Sequence, residues 1–187
     1  VTPEMQTVNL LNGESESPEH LARNPLGFVP VLEFLDEKDS KKRFLSESVA
    51  IIEWIDENIP ANPLYPKDSY LRARTRALVE LINAGTQPLQ NLPAQFYYAP
   101  SDSGEDQARR KTWAQHWIKN GLAAYEGIVK DTAGTFSVGN ELTAADLYLV
   151  PQCYNALRFE VPLAQFPLIE RIYKNAIQTP SYLASEP

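Results

Sequence analysis

Asn24-Pro-Leu-Gly-Phe-Val-Pro-Val-Leu-Glu-Phe34 and, after a charged turn, Phe44-Leu-Ser-Glu-Ser-Val-Ala-Ile-Ile-Glu-Trp-Ile55 decide the fold of this chain. Gly27 and two prolines bracket a turn, and Val29 to Leu35 is an apolar run of strand length. Asp36 to Lys42 is a solvated connection, and Arg43-Phe44-Leu45 is a short second strand. Ser46 and Ser48 offer caps to a helix whose Val49, Ile52, Ile55 and Ile59 share one face. A hairpin therefore feeds directly into an amphipathic helix. The Glu47-Ser48 pair at that helix start has a chemical meaning too. Free N–H groups and the positive dipole end attract a carboxylate, while an acidic side chain holds an ammonium. One end of an amino acid fits there.

Upstream of the hairpin, Met5 to Leu11 has strand composition and is ended by Asn12-Gly13. Ser17-Pro18-Glu19 starts a short helix, with a cap residue and then proline at the first helical position, and Asn24-Pro25 stops it. Downstream, residues 60–68 are proline-rich and aperiodic and mark a domain boundary. Everything after them is helical in pattern. Ser69 caps a segment reaching Asn91, which Gly85 and Pro88 should bend. Ala99 to Gln107 reads as a solvated loop, and Ala108 to Lys130 as a long helix with Ala114, Ile118, Leu122, Tyr125 and Val129 on one stripe. Thr143-Ala-Ala-Asp146 has the form of a capping box, and the helix it opens is expected to pack through Leu147, Val150, Tyr154 and Leu157. Pro151 should bend that helix, and a last one runs from about Pro167 to Gln178.

Composition narrows the function classes. The 187 residues can bury a real core, and the hydrophobic fraction of 43% is that of a globular protein. A net charge of −7 argues against nucleic acid and against anionic membranes as partners, and no apolar run approaches the ~18 residues of a membrane span. The single cysteine, Cys153, excludes an internal disulfide and suits the reducing cytoplasm. His20 and His116 are well separated and form no metal site; both read as surface residues. Cys153 reads as a small buried side chain, and Trp113 and Trp117, one turn apart, as packing residues.

Asn-Pro-x-Gly-x-Val-Pro-x-Leu followed by Glu-Ser-x-Ala-Ile resembles the glutathione-binding half of the cytosolic glutathione transferases. The resemblance implies an α/β plus all-α architecture. A thioredoxin-like glutathione-binding domain over residues 1–59, a linker over 60–68 and an all-α domain over 69–187 would follow in order. It further implies a cis Val29-Pro30 bond, Val29 offering its backbone to the cysteinyl part of the cofactor glutathione, and Glu47 and Ser48 holding the γ-glutamyl end. Asn83-Ala-Gly-Thr-Gln-Pro-Leu-Gln-Asn-Leu92, Gly139-Asn-Glu-Leu-Thr-Ala-Ala-Asp-Leu-Tyr-Leu-Val-Pro-Gln152 and Asn155-Ala-Leu-Arg-Phe159 are similar to the zeta class, which includes maleylacetoacetate and maleylpyruvate isomerases. By that likeness Arg158 binds a carboxylate of the small-molecule substrate. The protein would be a cytoplasmic homodimer working in aromatic amino acid catabolism as a glutathione-dependent cis–trans isomerase with transferase activity.

The class also carries a Ser-Ser-Cys-x-x-Arg stretch with its catalytic serines, and these 187 residues contain none. No catalytic residue is therefore assigned within the chain. The first βα unit of the thioredoxin-like domain is expected to lie upstream, because a strand at Met5 would otherwise lack its neighbour and leave its backbone unpaired. A non-catalytic binding module on the same fold is the competing expectation. Two further departures stand out. Glu47 replaces the glutamine usual in the class, and Asn12-Gly-Glu-Ser-Glu-Ser17 lacks the Gln or His that commonly meets the glycyl carboxylate.

Overall fold

The computed structural model describes residues 3–36, 39–59 and 62–185. The chain divides into two compact units, Val1–Ala61 and Asn62–Pro187, the first mixed α/β and thioredoxin-like, the second all helical.

In the first unit the expected strand at Met5 to Leu11 does not form. Residues 3–9 are irregular, and short 3-10 turns follow at Leu10–Asn12 and Glu14–Glu16. The only sheet among the described residues has two strands, so this segment has no row of partners to pair with. Helix α1 (Pro18–Arg23) begins as its sequence dictates: the Ser17 hydroxyl accepts from the His20 N–H at 3.2 Å and Pro18 opens the first turn. Strands β1 (Val31–Leu35) and β2 (Lys42–Ser46) pair antiparallel, from Val31 opposite Ser46 to Leu35 opposite Lys42. The first strand starts two residues later than expected, after Pro30, which has no N–H for a ladder.

Helix α2 (Ser48–Asn58) follows β2 at once. Neither Ser46 nor Ser48 caps it: Ser46 ends the strand, Glu47 occupies the cap position, and its side chain makes no capping bond. Its inner face also differs from expectation. Phe34 of β1 stacks on Trp54 with centroids 4.6 Å apart, which turns Ile51, three residues before Trp54, inward as the buried residue. Val49, Ile52 and Ile55 are half-buried, and Ile59 lies beyond the helix end, exposed.

In the second unit α3 (Ser69–Asn83) is capped by Asp68, which accepts from Leu71 N–H at 2.9 Å, rather than by Ser69. The expected bend near Gly85 is a complete break, giving α4 (Gln87–Gln90) and α5 (Leu92–Tyr98) as separate helices. Gly121 explains how α4 starts so near the long helix: a Cβ there would meet the Thr86 hydroxyl at 2.2 Å. That long helix, α6 (Gly104–Val129), starts earlier than expected because Ser103 caps it, accepting from Asp106 N–H. Its stripe of Ala114, Ile118, Leu122, Tyr125 and Val129 is buried throughout and forms the centre of the core.

Helix α7 (Ala144–Arg158) opens on the capping box, with both Thr143 N–H and its hydroxyl donating to Asp146. It corrects the sequence reading in which side it buries. Ala145, Tyr148, Leu149, Gln152, Cys153 and Ala156 face inward, while Tyr154 is 65% and Leu157 47% exposed. This face packs against α3 and α8. Pro151 lies on the exposed side. Helices α8 (Pro167–Ala176) and α9 (Pro180–Ser185) complete the chain. The Glu126 carboxylate accepts from Leu168 and Ile169 N–H, both at 3.0 Å, and so supplies the start of α8 from α6.

Candidate functional site

The loop between α1 and β1 is held by its own polar groups. Leu26 N–H donates to Asn24 Oδ1 at 3.2 Å, and Gly27 N–H to the Asn24 carbonyl at 2.9 Å. Gly27 has φ +68°, and a Cβ on it would come within 3.1 Å of the Ser15 carbonyl oxygen, so glycine is required there on both counts. The Phe28 carbonyl accepts from Asn24 Nδ2 at 3.0 Å and from His20 Nε2 at 3.1 Å. His20 is therefore a buried loop anchor, not the surface residue expected from sequence. The following bond, Val29-Pro30, is cis, as the family resemblance implies.

Pro30 and Glu47 stand next outside the terminal ladder pair Val31–Ser46. They leave the sheet at the same end, Pro30 beside Val29 and Glu47 beside Ser48. The hairpin register thus brings together the four residues Val29, Pro30, Glu47 and Ser48. Val29, Pro30 and Glu47 are exposed and Ser48 is half-buried. Glu47 has φ +70°, a strained conformation for a residue with a Cβ, and such outliers concentrate where a side chain is held for use. Its carbonyl accepts from Ile51 N–H at 2.9 Å, the first bond of α2. The first turn of a helix carries N–H groups beyond the helix's own bonding and a positive dipole end. An acid beside such a helix start can hold an ammonium and a carboxylate of one amino-acid end together.

Arg158 is the last residue of α7, in the second unit, and is exposed. It continues the exposed line of Leu147, Pro151 and Tyr154. The end of α7 is tied to α6: Gln115 Nε2 donates to the Phe159 carbonyl at 2.8 Å, and Lys111 pairs with Glu160 at 2.6 Å. Cys153 is fully buried, and burial pushes its thiol far above the ordinary range, so it is no nucleophile. Trp113 packs edge-on to Trp117 and donates Nε1–H to the Leu89 carbonyl at 2.6 Å.

Sequence reasoning missed His20 and Asn24 as residues of this loop. The available signal was their spacing of four on one side of a capped turn, with Asn24 opening Asn-Pro-x-Gly.

Comparison with known proteins agrees with this geometry. Residues 3–58 match the family described as Glutathione S-transferase, N-terminal domain, and residues 89–185 match Glutathione S-transferase, C-terminal domain. A probable maleylacetoacetate isomerase 2 of Drosophila melanogaster is 39% identical over 94% of this chain and 71% of its own length. A zeta-class glutathione S-transferase of Euphorbia esula is 35% identical over 96% of this chain and 76% of its own. Among solved structures, the maleylacetoacetate isomerase of Anaeromyxobacter dehalogenans with glutathione bound in the active site superposes with a TM-score of 0.86. It is 41% identical, over 98% of this chain and 82% of that one.

Proposed function

We infer the reaction from a plain premise: this chain belongs to the glutathione S-transferase family, in its zeta class. It is an enzyme that uses glutathione, and its reaction is the cis–trans isomerisation of a maleyl diketo acid, with transferase activity beside it. The relatives' names side with an enzyme over a non-catalytic binding module. A maleylpyruvate isomerase, also in the zeta class, is 33% identical with a TM-score of 0.84, so the substrate class spans both maleyl diketo acids.

In this reaction the glutathione thiolate adds to the double bond conjugated with a carbonyl, and a C–S bond forms as charge moves onto that oxygen. The former double bond, now single, rotates. Expulsion of the thiolate then breaks the C–S bond and restores the alkene in the trans form, with no net gain or loss of atoms. What the protein must supply is a fixed thiol and a fixed dicarboxylate.

Glu47 holds the γ-glutamyl ammonium, the first turn of α2 at Ser48 receives the γ-glutamyl carboxylate, and the Val29 backbone beside Pro30 aligns the cysteinyl part. These residues make up a glutathione-binding domain over 1–59, joined through 60–68 to the all-α domain over 69–187. Arg158 takes a substrate carboxylate. The observation that carries the reading is the convergence of Val29, Pro30, Glu47 and Ser48 at one end of the hairpin, with Glu47 strained at a helix start. Glu47→Ala should weaken glutathione binding by about 1.5–3 kcal/mol, the range for a charge-assisted bond. Calorimetry giving unchanged affinity would remove this placement.

The working form is a homodimer in the cytoplasm, serving aromatic amino acid catabolism. The relatives' named reactions and the lone, buried cysteine support that setting. Light scattering that gave a monomer at micromolar concentration would overturn the dimer.

A further inference from the structure

We propose that His20 and Asn24 are positioning residues for glutathione: together they clamp the Phe28 carbonyl and thereby aim the Val29 N–H at the cysteinyl part of the cofactor. The inference rests on the placement of glutathione at Val29, Glu47 and Ser48.

Two donors meet on one acceptor. Asn24 Nδ2 lies 3.0 Å and His20 Nε2 3.1 Å from the Phe28 oxygen. Both side chains are buried, His20 5% and Asn24 3% exposed, whereas Phe28 and Val29 are open to solvent. An exposed turn is thus fastened from beneath by two buried polar groups. A carbonyl only accepts, so His20 donates from Nε2.

The Phe28–Val29 peptide is trans, since Val29-Pro30 is the cis bond of the described chain. In a trans peptide the N–H points opposite to the C=O within one plane. Drawing the carbonyl in toward His20 and Asn24 therefore turns the Val29 N–H out, at the end of the hairpin where Glu47 and Ser48 also emerge. The remaining bonds of the loop fix that plane. Asn24 Oδ1 accepts from Leu26 N–H, and the close approach of Gly27 to the Ser15 carbonyl prevents the turn from rolling. Asn24 thus uses both ends of its amide on the loop, and no other residue type has the same donor and acceptor at that reach.

The test is glutathione affinity by calorimetry together with steady-state kinetics on the enzyme, for His20→Phe, His20→Gln, Asn24→Asp and Glu47→Ala. His20→Phe keeps a ring and removes the donor. Asn24→Asp keeps the acceptor for Leu26 and turns the donor into a repelling oxygen. Each should weaken glutathione about tenfold and raise its KM, with kcat at saturating glutathione and the KM of the diketo acid within about twofold of the parent. His20→Gln, whose amide can donate to the same carbonyl, should recover most of the affinity, which a merely structural role for the ring would not produce. If Glu47→Ala weakens glutathione while His20→Phe and Asn24→Asp do not, the clamp is overturned and the site stands. If Glu47→Ala has no effect either, the site and the clamp fall together. A loss of kcat and of both KM values in Asn24→Asp, without rescue in His20→Gln, would mark a general folding role and also overturn the clamp.

Discussion

Gln90 and Gln152, one on α4 and one on α7, exchange a reciprocal pair of amide hydrogen bonds of 2.8 and 2.9 Å in the buried core. Gln95 Nε2 adds a 2.6 Å bond to the Gln90 carbonyl, so α5 joins the same junction. Each glutamine lies in a stretch similar to the zeta class, Gln90 in Gln-Pro-Leu-Gln-Asn and Gln152 at the end of Leu-Val-Pro-Gln.

Gln152→Leu should accordingly cost about 1–3 kcal/mol, because it strands the Gln90 amide without a partner in a dry setting. Gln90→Leu should cost a similar amount. The double variant should be less destabilised than the two losses added, by at least about 0.5 kcal/mol. Urea unfolding of the four proteins measures the coupling, and strictly additive losses would mean that the pair is not a unit.

Much of this fold was legible in sequence because local chemistry and global pattern agree. Ser17-Pro18, Thr143 with Asp146, and the apolar line from Ala114 to Val129 each specify an element without help from the rest of the chain. The misses lie where a tertiary partner decides. Leu147, Val150, Tyr154 and Leu157 form an apolar stripe on α7, yet the helix buries Ala145, Tyr148, Leu149, Gln152, Cys153 and Ala156 instead, the face that meets α3 and α8. The strand expected at Met5 to Leu11 failed because a strand is a property of a pair, which no single segment encodes. At the candidate site, Val29, Pro30, Glu47 and Ser48 could be named from the motif. His20 was missed, because its role depends on a carbonyl eight residues away that the fold brings back to it.

Cys153 supplies a pH prediction. Desolvation raises its thiol pKa in the folded state, whereas an unfolded cysteine titrates near ~8.5. Above that value the unfolded chain binds fewer protons than the native one, so this residue's contribution to stability is full below about 8.5 and declines as pH rises. The decline should approach about 1.4 kcal/mol per pH unit. Comparing urea unfolding at several alkaline pH values for the parent and Cys153→Ala isolates it, because the variant should lose that part of the slope. The same burial predicts negligible reaction with a thiol reagent at neutral pH until urea unfolds the chain. Fast labelling of the native protein would contradict both statements.

Arg158 governs the choice of substrate in this reading. It ends α7, where the helix dipole alone favours a cation, and that alone would account for an arginine. The surroundings argue for more. Glu160, two residues on, is already paired with Lys111, and Gln115 holds the Phe159 carbonyl, so the helix end is secured without the guanidinium. The side chain is exposed at the end of a line containing Leu147 and Tyr154, whose apolar surface is also open. A dianionic diketo acid approaching a protein of net charge −7 needs a local cation, and a planar guanidinium can grip a carboxylate with two parallel bonds where an ammonium offers one point. Arg158→Lys should therefore raise the KM of the maleyl substrate several-fold and Arg158→Ala by about tenfold or more, in line with loss of a charge-assisted bond. Glutathione affinity should stay within about twofold in both variants, since the proposed glutathione contacts, Val29, Glu47 and Ser48, do not include Arg158. Steady-state kinetics with each substrate varied in turn distinguishes the two roles: unchanged KM for the diketo acid together with a lowered melting temperature would return Arg158 to the end of its helix.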